Sequence, residues 1–326
     1  MSARNNLAEV MTDSQLSLPG LGPVQWSWSE EEEEDAVAFT HTTVMPSEVA
    51  GALDPRRGGT YVDATVGGGG HAERILEMGG NVIAVDRDPA ALEASRARLE
   101  RFEGRVEFVH GTFGDLASLL EGRKVDGLCA DLGVSSPQLD DASRGMSFRH
   151  EGPLDMRMDP TSGETALDLV DRLSEGDLAD VIYKYGEERR SRRIARSIKR
   201  ALESHALDTT LDLRRAVVRA VGPVRIGGVD PATRTFQALR IAVNDELGEI
   251  ERLLSALPTV LAPNGLAAII AFHSLEDRLV KHAFAHRDVW ETLWKKPRVA
   301  TDEEQAANPR SRSAKLRAAR LVGGSR

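Results

Sequence analysis

Apolar positions along the chain follow two rhythms. Between residues 59 and 131, short apolar runs alternate with amphipathic stretches. The runs Thr60 to Thr65, Asn81 to Val85, Val106 to Val109 and Val125 to Asp131 predict four strands, the first short and buried. A helix is predicted from His71 to Met78. Another is predicted to start at Pro89, with Asp88 as its N-cap. Strands alternating with short helices predict an α/β fold with a parallel, doubly wound sheet. The alternation stops at Gln138. From there to Gly228 the chain is polar, charged and helical in period, with helices expected over Leu167 to Tyr185, Arg189 to Ser204 and Leu211 to Val221. This predicts a helical insertion. Pro231 to Leu257 predicts one long helix, Pro263-Asn264-Gly265 a turn, and Leu266 to Phe272 a buried strand returning to the sheet; a further helix opens near Leu275. The expected organisation is a tail at 1–40, an α/β core at 41–137 and 231–326, and a helical insertion at 138–230.

The composition changes this picture in one respect. The 326 residues carry a formal charge of −9, which alone argues against a nucleic-acid partner. Residues 1–40, however, hold eight acidic residues, including the run Glu30 to Asp35, against one base. With no sustained apolar period, this stretch is expected to be disordered. Two basic clusters remain. Glu187 to Arg200 has seven bases against two acids, and Gln305 to Arg326 has six bases and no acid. Such clusters neutralise phosphates or simply solvate a helix face. Ile194 and Ile198 would share one helical face and leave Arg189, Arg192, Arg193 and Arg196 on the others. A single cysteine, Cys129, excludes a disulfide framework. No Cys/His spacing suits zinc, so no metal is expected. No apolar run approaches a membrane span and no signal pattern opens the chain, so a cytoplasmic protein without membrane contact is expected.

The sharpest chemistry lies at Asp63-Ala64-Thr65-Val66-Gly67-Gly68-Gly69-Gly70-His71. Glycines between a strand and a helix let a ligand approach the backbone, and the helix start offers free N–H groups to an anion. Asp86 ends the next predicted strand, where a carboxylate accepts from ribose hydroxyls. The order strand, loop, helix, strand, acid points to an adenosine-type cofactor; a tight turn that binds nothing is the bland alternative. Four consecutive glycines depart from the dinucleotide spacing, which ranks a methyltransferase above an NAD-type dehydrogenase.

Longer motifs sharpen this. They are His41-Thr42-Thr43-Val44-Met45, Asp131-Leu132-Gly133-Val134-Ser135-Ser136-Pro137-Gln138, Gly152-Pro153-Leu154-Asp155-Met156-Arg157, Tyr185-Gly186-Glu187-Glu188-Arg189, Pro231-Ala232-Thr233-Arg234-Thr235-Phe236-Gln237-Ala238-Leu239-Arg240, Phe272-His273-Ser274-Leu275-Glu276-Asp277-Arg278 and Asn308-Pro309-Arg310-Ser311-Arg312. With the glycine loop, this series resembles the ribosomal RNA small subunit methyltransferase H family from His41 to Val322. The resemblance implies a class I S-adenosylmethionine methyltransferase fold. It also implies methylation of the exocyclic N4 of a decoding-centre cytidine in 16S rRNA, within the small ribosomal subunit or its late assembly particle, by a monomer or homodimer. It places cofactor contacts at Gly69, Gly70, His71, Asp86, Phe113, Asp131 and Gln138. A non-catalytic ribosome-assembly factor is the competing reading.

Two residues are candidates for the chemistry. Asp131, at the end of the fourth strand, would accept a hydrogen bond from the amine or order the methyl donor. His273 would serve as a base of pKa near 7, or it merely caps the helix that follows. No aromatic residue follows Pro137 to stack on an extruded base, so the target-base contacts stay open. RNA contact is expected on Arg189, Arg192, Arg193, Arg196, Arg310 and Arg312.

Overall fold

The structure, a computed structural model, describes residues 43–223 and 229–323. Glu30 to Asp35, His41, Thr42 and Arg326 lie outside these residues, as does the expected tail. Helix α1 (Pro46–Leu53) precedes β1 (Thr60–Asp63). Then follow α2 (Gly70–Glu77), β2 (Asn81–Asp86), α3 (Pro89–Leu99), β3 (Val106–His110), α4 (Leu116–Leu119) and β4 (Val125–Asp131). Asp88 caps α3 as expected, accepting from the Ala90 N–H at 3.1 Å. Helices α5 (Ser136–Asp140), α6 (Ala166–Arg172), α7 (Glu175–Gly186), α8 (Ser191–Glu203), α9 (Thr210–Val221), α10 (Thr233–Asn244) and α11 (Glu246–Val260) intervene before β5 (Leu261–Ala271). The chain closes through α12 (Ser274–Ala283), β6 (Trp290–Thr292), α13 (Asp302–Ala307) and β7 (Lys315–Leu321).

The strand order is β3-β2-β1-β4-β5-β7-β6. Strands β1 to β5 are parallel to their neighbours, and β7 runs antiparallel to both β5 and β6. The order reverses between β1 and β4, so the chain leaves their carboxyl ends in opposite directions and opens a crevice there. Successive strand residues face opposite layers. Val62, Ile83 and Ile269 pack with Ile250, Leu253 and Leu257 of α11, whereas Tyr61, Val82 and Ile270 pack with Leu53 of α1 and with Ile75 and Leu76 of α2. A third cluster unites α6 to α9 through Leu169, Leu178, Ile182, Ile194, Ile198, Leu213 and Val217.

Three elements differ from the sequence pattern. The single helix expected over Pro231 to Leu257 is two, because Asp245 adopts a left-handed conformation (φ 48°) and turns the chain. The turn lets Phe236 and Leu239 of α10 join the helical cluster while α11 covers the sheet. The helix expected over Leu167 to Tyr185 is also two, since Ser174 starts α7 by accepting from the Asp177 N–H. The Pro263-Asn264-Gly265 turn sits within β5 as an irregularity. Leu261 pairs with Val125 and Leu266 with Gly127, and Asn264 between them has φ 65°.

Within the C-terminal basic stretch, Lys315–Leu321 forms strand β7. Leu316 and Ala318 point into the core. Arg317 lies 2.7 Å and Lys315 3.4 Å from Asp277, and Arg320 lies 3.1 Å from Glu291. No helix among the described residues is long and apolar enough to cross a membrane.

Candidate active site

The glycine loop joins β1 to α2 beneath the crevice. Gly69 is the α2 N-cap at φ 82°, a conformation that carries a side chain only with strain. A Cβ on Gly70 would lie 1.7 Å from Thr43 Oγ1, so the residue has no room for a side chain. Asp63 is fully buried and accepts from the N–H groups of Thr65 (3.4 Å) and Ala72 (3.0 Å), which ties the loop to both flanking elements. Asp86 accepts from Gly67 N at 2.8 Å and Asp88 N at 2.9 Å. Desolvation outweighs these bonds and raises its pKa to about 6.

His71 and Asp131 meet at the crevice floor. His71 is buried, and its Nε2 lies 3.8 Å from Asp131 Oδ2, an ion-pair distance too long for a hydrogen bond. Both ring nitrogens, Asp131 Oδ1 and Thr43 Oγ1 are buried with no hydrogen-bond partner among the described residues. Burial opposes a charged His71, but Asp131, Asp63 and Glu304 outweigh it and raise the imidazole pKa. The Asp131 backbone is held by its N–H donating to Thr65 Oγ1 at 2.7 Å.

Six of the residues expected to hold the cofactor line one cavity of about 410 Å³: Gly70, His71, Asp86, Phe113, Asp131 and Gln138. Gly69 is not among its lining residues and shapes it through the α2 start. Phe113 both lines the cavity and packs on the sheet core. Gln138 is committed to protein groups. Its Oε1 accepts from Ser135 N at 3.0 Å and its Nε2 donates to Asp88 Oδ2 at 2.8 Å, so it orders the loop after β4.

Of the two aromatic residues near the basic helix that the sequence offers for stacking, Phe148 lines the cavity and Tyr185 does not, and Phe148 is joined by aromatics that the spacing of the motifs does not bring together. Phe148 and Phe236 meet edge to face with centroids 4.8 Å apart, and Phe272 joins them in the wall. These are aromatic groups from three separate segments, where the loop after Pro137 offers none. Arg240 holds Glu246 with two bonds of 2.7 and 2.9 Å. His273 is the N-cap of α12, its Nδ1 accepting from the Glu276 N–H at 3.4 Å. Its Nε2 lies 3.1 Å from Glu276 Oε1 but out of line for a directed hydrogen bond. Burial works against the Glu276 anion, yet His273, the Phe272 N–H and Arg240 hold its pKa below the usual value. Donor atoms of Glu246, His273 and Glu276 fall within 4.8 Å of one another, a spacing that suits a cation. The Arg240 guanidinium already supplies that positive charge.

The basic residues divide into two groups. Arg192, Arg193 and Arg196 stand exposed on α8, with Ile194 and Ile198 buried on its other face as the pattern required. Arg189 is exposed just before α8. Among the described residues Arg189, Arg192 and Arg193 have no ion pair, and Arg196 reaches Glu175 at 3.2 Å. Arg312 is exposed. Arg310 lines the cavity instead, 3.5 Å from Asp140, with Nη1 buried and without a partner among the described residues.

A sheet in this order with one antiparallel strand, a glycine loop after β1 and a carboxylate ending β2 define a class I S-adenosylmethionine-dependent methyltransferase. The donor set fits that cofactor. Asp86 offers a carboxylate, Phe113 an aromatic face, and Thr43 and His71 buried polar atoms with no partner among the described residues. Residues 38–322 match the MraW methylase family, and the chain belongs to it. The chain is 63% identical over 288 residues to the ribosomal RNA small subunit methyltransferase H of Sorangium cellulosum (strain So ce56), covering 87% of this chain and 91% of that protein. Proteins of the same name from Synechococcus elongatus and Deinococcus deserti are 51% and 50% identical, covering 87% and 90% of this chain and 96% and 97% of theirs.

Proposed function

We propose that this protein transfers a methyl group from S-adenosylmethionine to the exocyclic N4 of a decoding-centre cytidine in 16S rRNA, acting on the small ribosomal subunit or its late assembly particle. The observation that carries the reading is one cavity lined by two unlike groups of side chains. The glycine loop, Asp86 and Phe113 form one group and Phe148, Phe236 and Phe272 the other, and Asp131 lines the same cavity. Bound against the first group, the cofactor supplies an electrophilic methyl group on a sulfonium.

The exocyclic amine of cytosine is a weak nucleophile because its lone pair is conjugated into the ring. The protein's contribution is therefore positioning and charge placement. Asp131 Oδ1 is buried and uncommitted, so it accepts a hydrogen bond from the amine, turns the nitrogen lone pair toward the donor and takes the amine proton as the N–C bond forms and the S–C bond breaks. His71 stands beside it, and Asp131, Asp63 and Glu304 favour its protonated form against the opposing burial. His273 serves this site by holding α12. With Nδ1 accepting from Glu276, its neutral ring carries the proton on Nε2 and has no lone pair for a substrate proton. A base that leaves its stack enters between Phe148 and Phe272. The exposed arginines of α8 and Arg312 take the RNA phosphates, and Arg310 reaches one from inside the cavity mouth. We place the RNA-contacting unit at residues 138–230.

The test is transfer of labelled methyl from S-adenosylmethionine to purified small subunits, followed by nucleoside analysis. The expected product is N4-methylated cytidine at one position. A labelled base other than cytidine, or label on protein, overturns the substrate. Cofactor binding with no transfer to any RNA would favour an assembly factor.

A further inference from the structure

Three consecutive residues at the end of β2 hold three parts of the molecule together. Asp86 closes the glycine loop through Gly67. Arg87 donates from Nη1 to the backbone oxygen of Asn244, the last residue of α10, at 3.0 Å. Asp88 uses one oxygen to cap α3 and the other to accept from Gln138 (2.8 Å) and from Arg144 Nη1 (2.9 Å).

The two partners then converge. Arg144 Nη2 donates to the backbone oxygens of Met158 (2.6 Å) and Arg157 (3.3 Å), and its own backbone oxygen accepts from Met156 N at 3.1 Å. Asn244 accepts from Met158 N at 2.7 Å and donates to Met156 O at 2.8 Å. The segment from Met156 to Met158 is thus gripped by the side chains of two residues, Arg144, whose guanidinium also reaches Asp88, and Asn244, whose backbone oxygen accepts from Arg87. The Asp88 and Arg144 side chains are 3% and 13% exposed, so this is a buried pair with its hydrogen bonds made. Between Arg144 and Met158 the chain carries Met146, Ser147 and Phe148, which line the cavity.

We propose that Arg144 is a positioning residue that couples the Asp86 side of the cavity lining to its Met146 to Phe148 wall, so that binding of the methyl donor and binding of RNA strengthen each other. The inference rests on the function proposed above. Ribose hydroxyls donating to Asp86 restrain residues 86–88. Through Asp88 and Arg144 this restrains the Met146 to Phe148 wall, and through Arg87 and Asn244 it restrains the last residue of α10, the helix whose first turn carries Phe236. Order imposed by one ligand need not be imposed again by the second. Linkage makes the effect reciprocal.

The test measures affinity of the full chain for purified, unmodified small ribosomal subunits, with and without saturating S-adenosylhomocysteine. S-adenosylhomocysteine should tighten subunit binding about fivefold or more. Arg144→Ala should bring that ratio close to one. Arg144→Lys keeps the charge but lacks the planar fork that reaches Asp88 and two carbonyls at once. It should lose the ratio as well, and it serves where the alanine variant does not fold. A purely structural Arg144 would lower the melting temperature and both affinities while leaving the ratio unchanged, which overturns the proposal. A wild-type ratio of one, with both ligands bound, also overturns it and leaves the function intact. Wild-type protein that binds S-adenosylhomocysteine but neither binds nor methylates subunits removes the proposed function and this inference together.

Discussion

His71 Nε2 stands 3.8 Å from Asp131 Oδ2 at the floor of the crevice, and each residue keeps a buried polar atom without a partner among the described residues. Folded chains satisfy nearly all buried polar groups. Such atoms on two facing residues, in a cavity flanked by a glycine loop, mark the place where a charged ligand completes the bonding. Asp131 is also the last residue of β4, so its position is set by the sheet rather than by a flexible loop.

Replacing Asp131 by Asn keeps the shape and removes the charge. Methyl transfer at saturating cofactor should fall by about 100-fold or more. The measurement is labelled-methyl incorporation into small subunits. A rate within threefold of wild type would show that Asp131 only shapes the site.

Asp86 titrates at about 6, above the usual carboxylate value of 3.8, because of its burial. Below that pH its carboxyl is protonated and no longer an anion for ribose hydroxyls. The affinity for S-adenosylhomocysteine should therefore weaken about tenfold for each pH unit below 6. The sign for folding is opposite. A raised folded pKa contributes stability below 3.8 that is lost as pH rises through 6. Calorimetric titration of wild type and Asp86→Asn separates the two. The variant should show weak binding with a flat pH profile in this range, and an unchanged slope would remove Asp86 from the cofactor site.

Gly70→Ala drives a methyl group into Thr43 Oγ1. Overpacking of this kind costs roughly 1–3 kcal/mol and should also disturb the α2 start. Thermal melting is the readout. Adding Thr43→Gly should recover most of the lost stability, and no recovery would place the strain in the backbone.

Neutralising Arg192, Arg193 and Arg196 to Gln should weaken subunit binding. It should also reduce the slope of log affinity against log salt by about 2 to 3, since each lost phosphate contact removes somewhat less than one counterion. S-adenosylhomocysteine affinity should stay the same. By contrast, Arg317→Ala should lower the melting temperature without changing that slope, because Arg317 pairs with Asp277 at 2.7 Å. Equal salt slopes for all three proteins would move the RNA surface elsewhere.

Local signals were readable wherever they act locally. Apolar runs marked β1 to β4, Asp88 marked the α3 start, and the glycines marked the loop, since strand burial, N-capping and positive φ are properties of a few adjacent residues. Ile194 and Ile198 told which face of α8 is buried because the helical period alone sets it. The break at Asp245 was not readable. Its left-handed turn follows from the need of α10 and α11 to cover different cores, not from any residue strongly opposed to helix.

The charge pattern shows the same division. Runs of Arg and Lys name positive segments, but a charge acts through its nearest partner in space. Arg317, Lys315 and Arg320 are spent on Asp277 and Glu291, while Arg192 and Arg193 stay exposed on α8. The aromatic wall of Phe148, Phe236 and Phe272 likewise gathers residues from a loop, a helix and a strand end. The order of residues along the chain settled the α/β layering and the cofactor loop, because those depend on neighbours a few positions apart. Folding settled which arginines remain available and which side chains face Asp131, because those depend on groups far apart in sequence, such as Arg317 and Asp277 or His71 and Asp131, meeting in space.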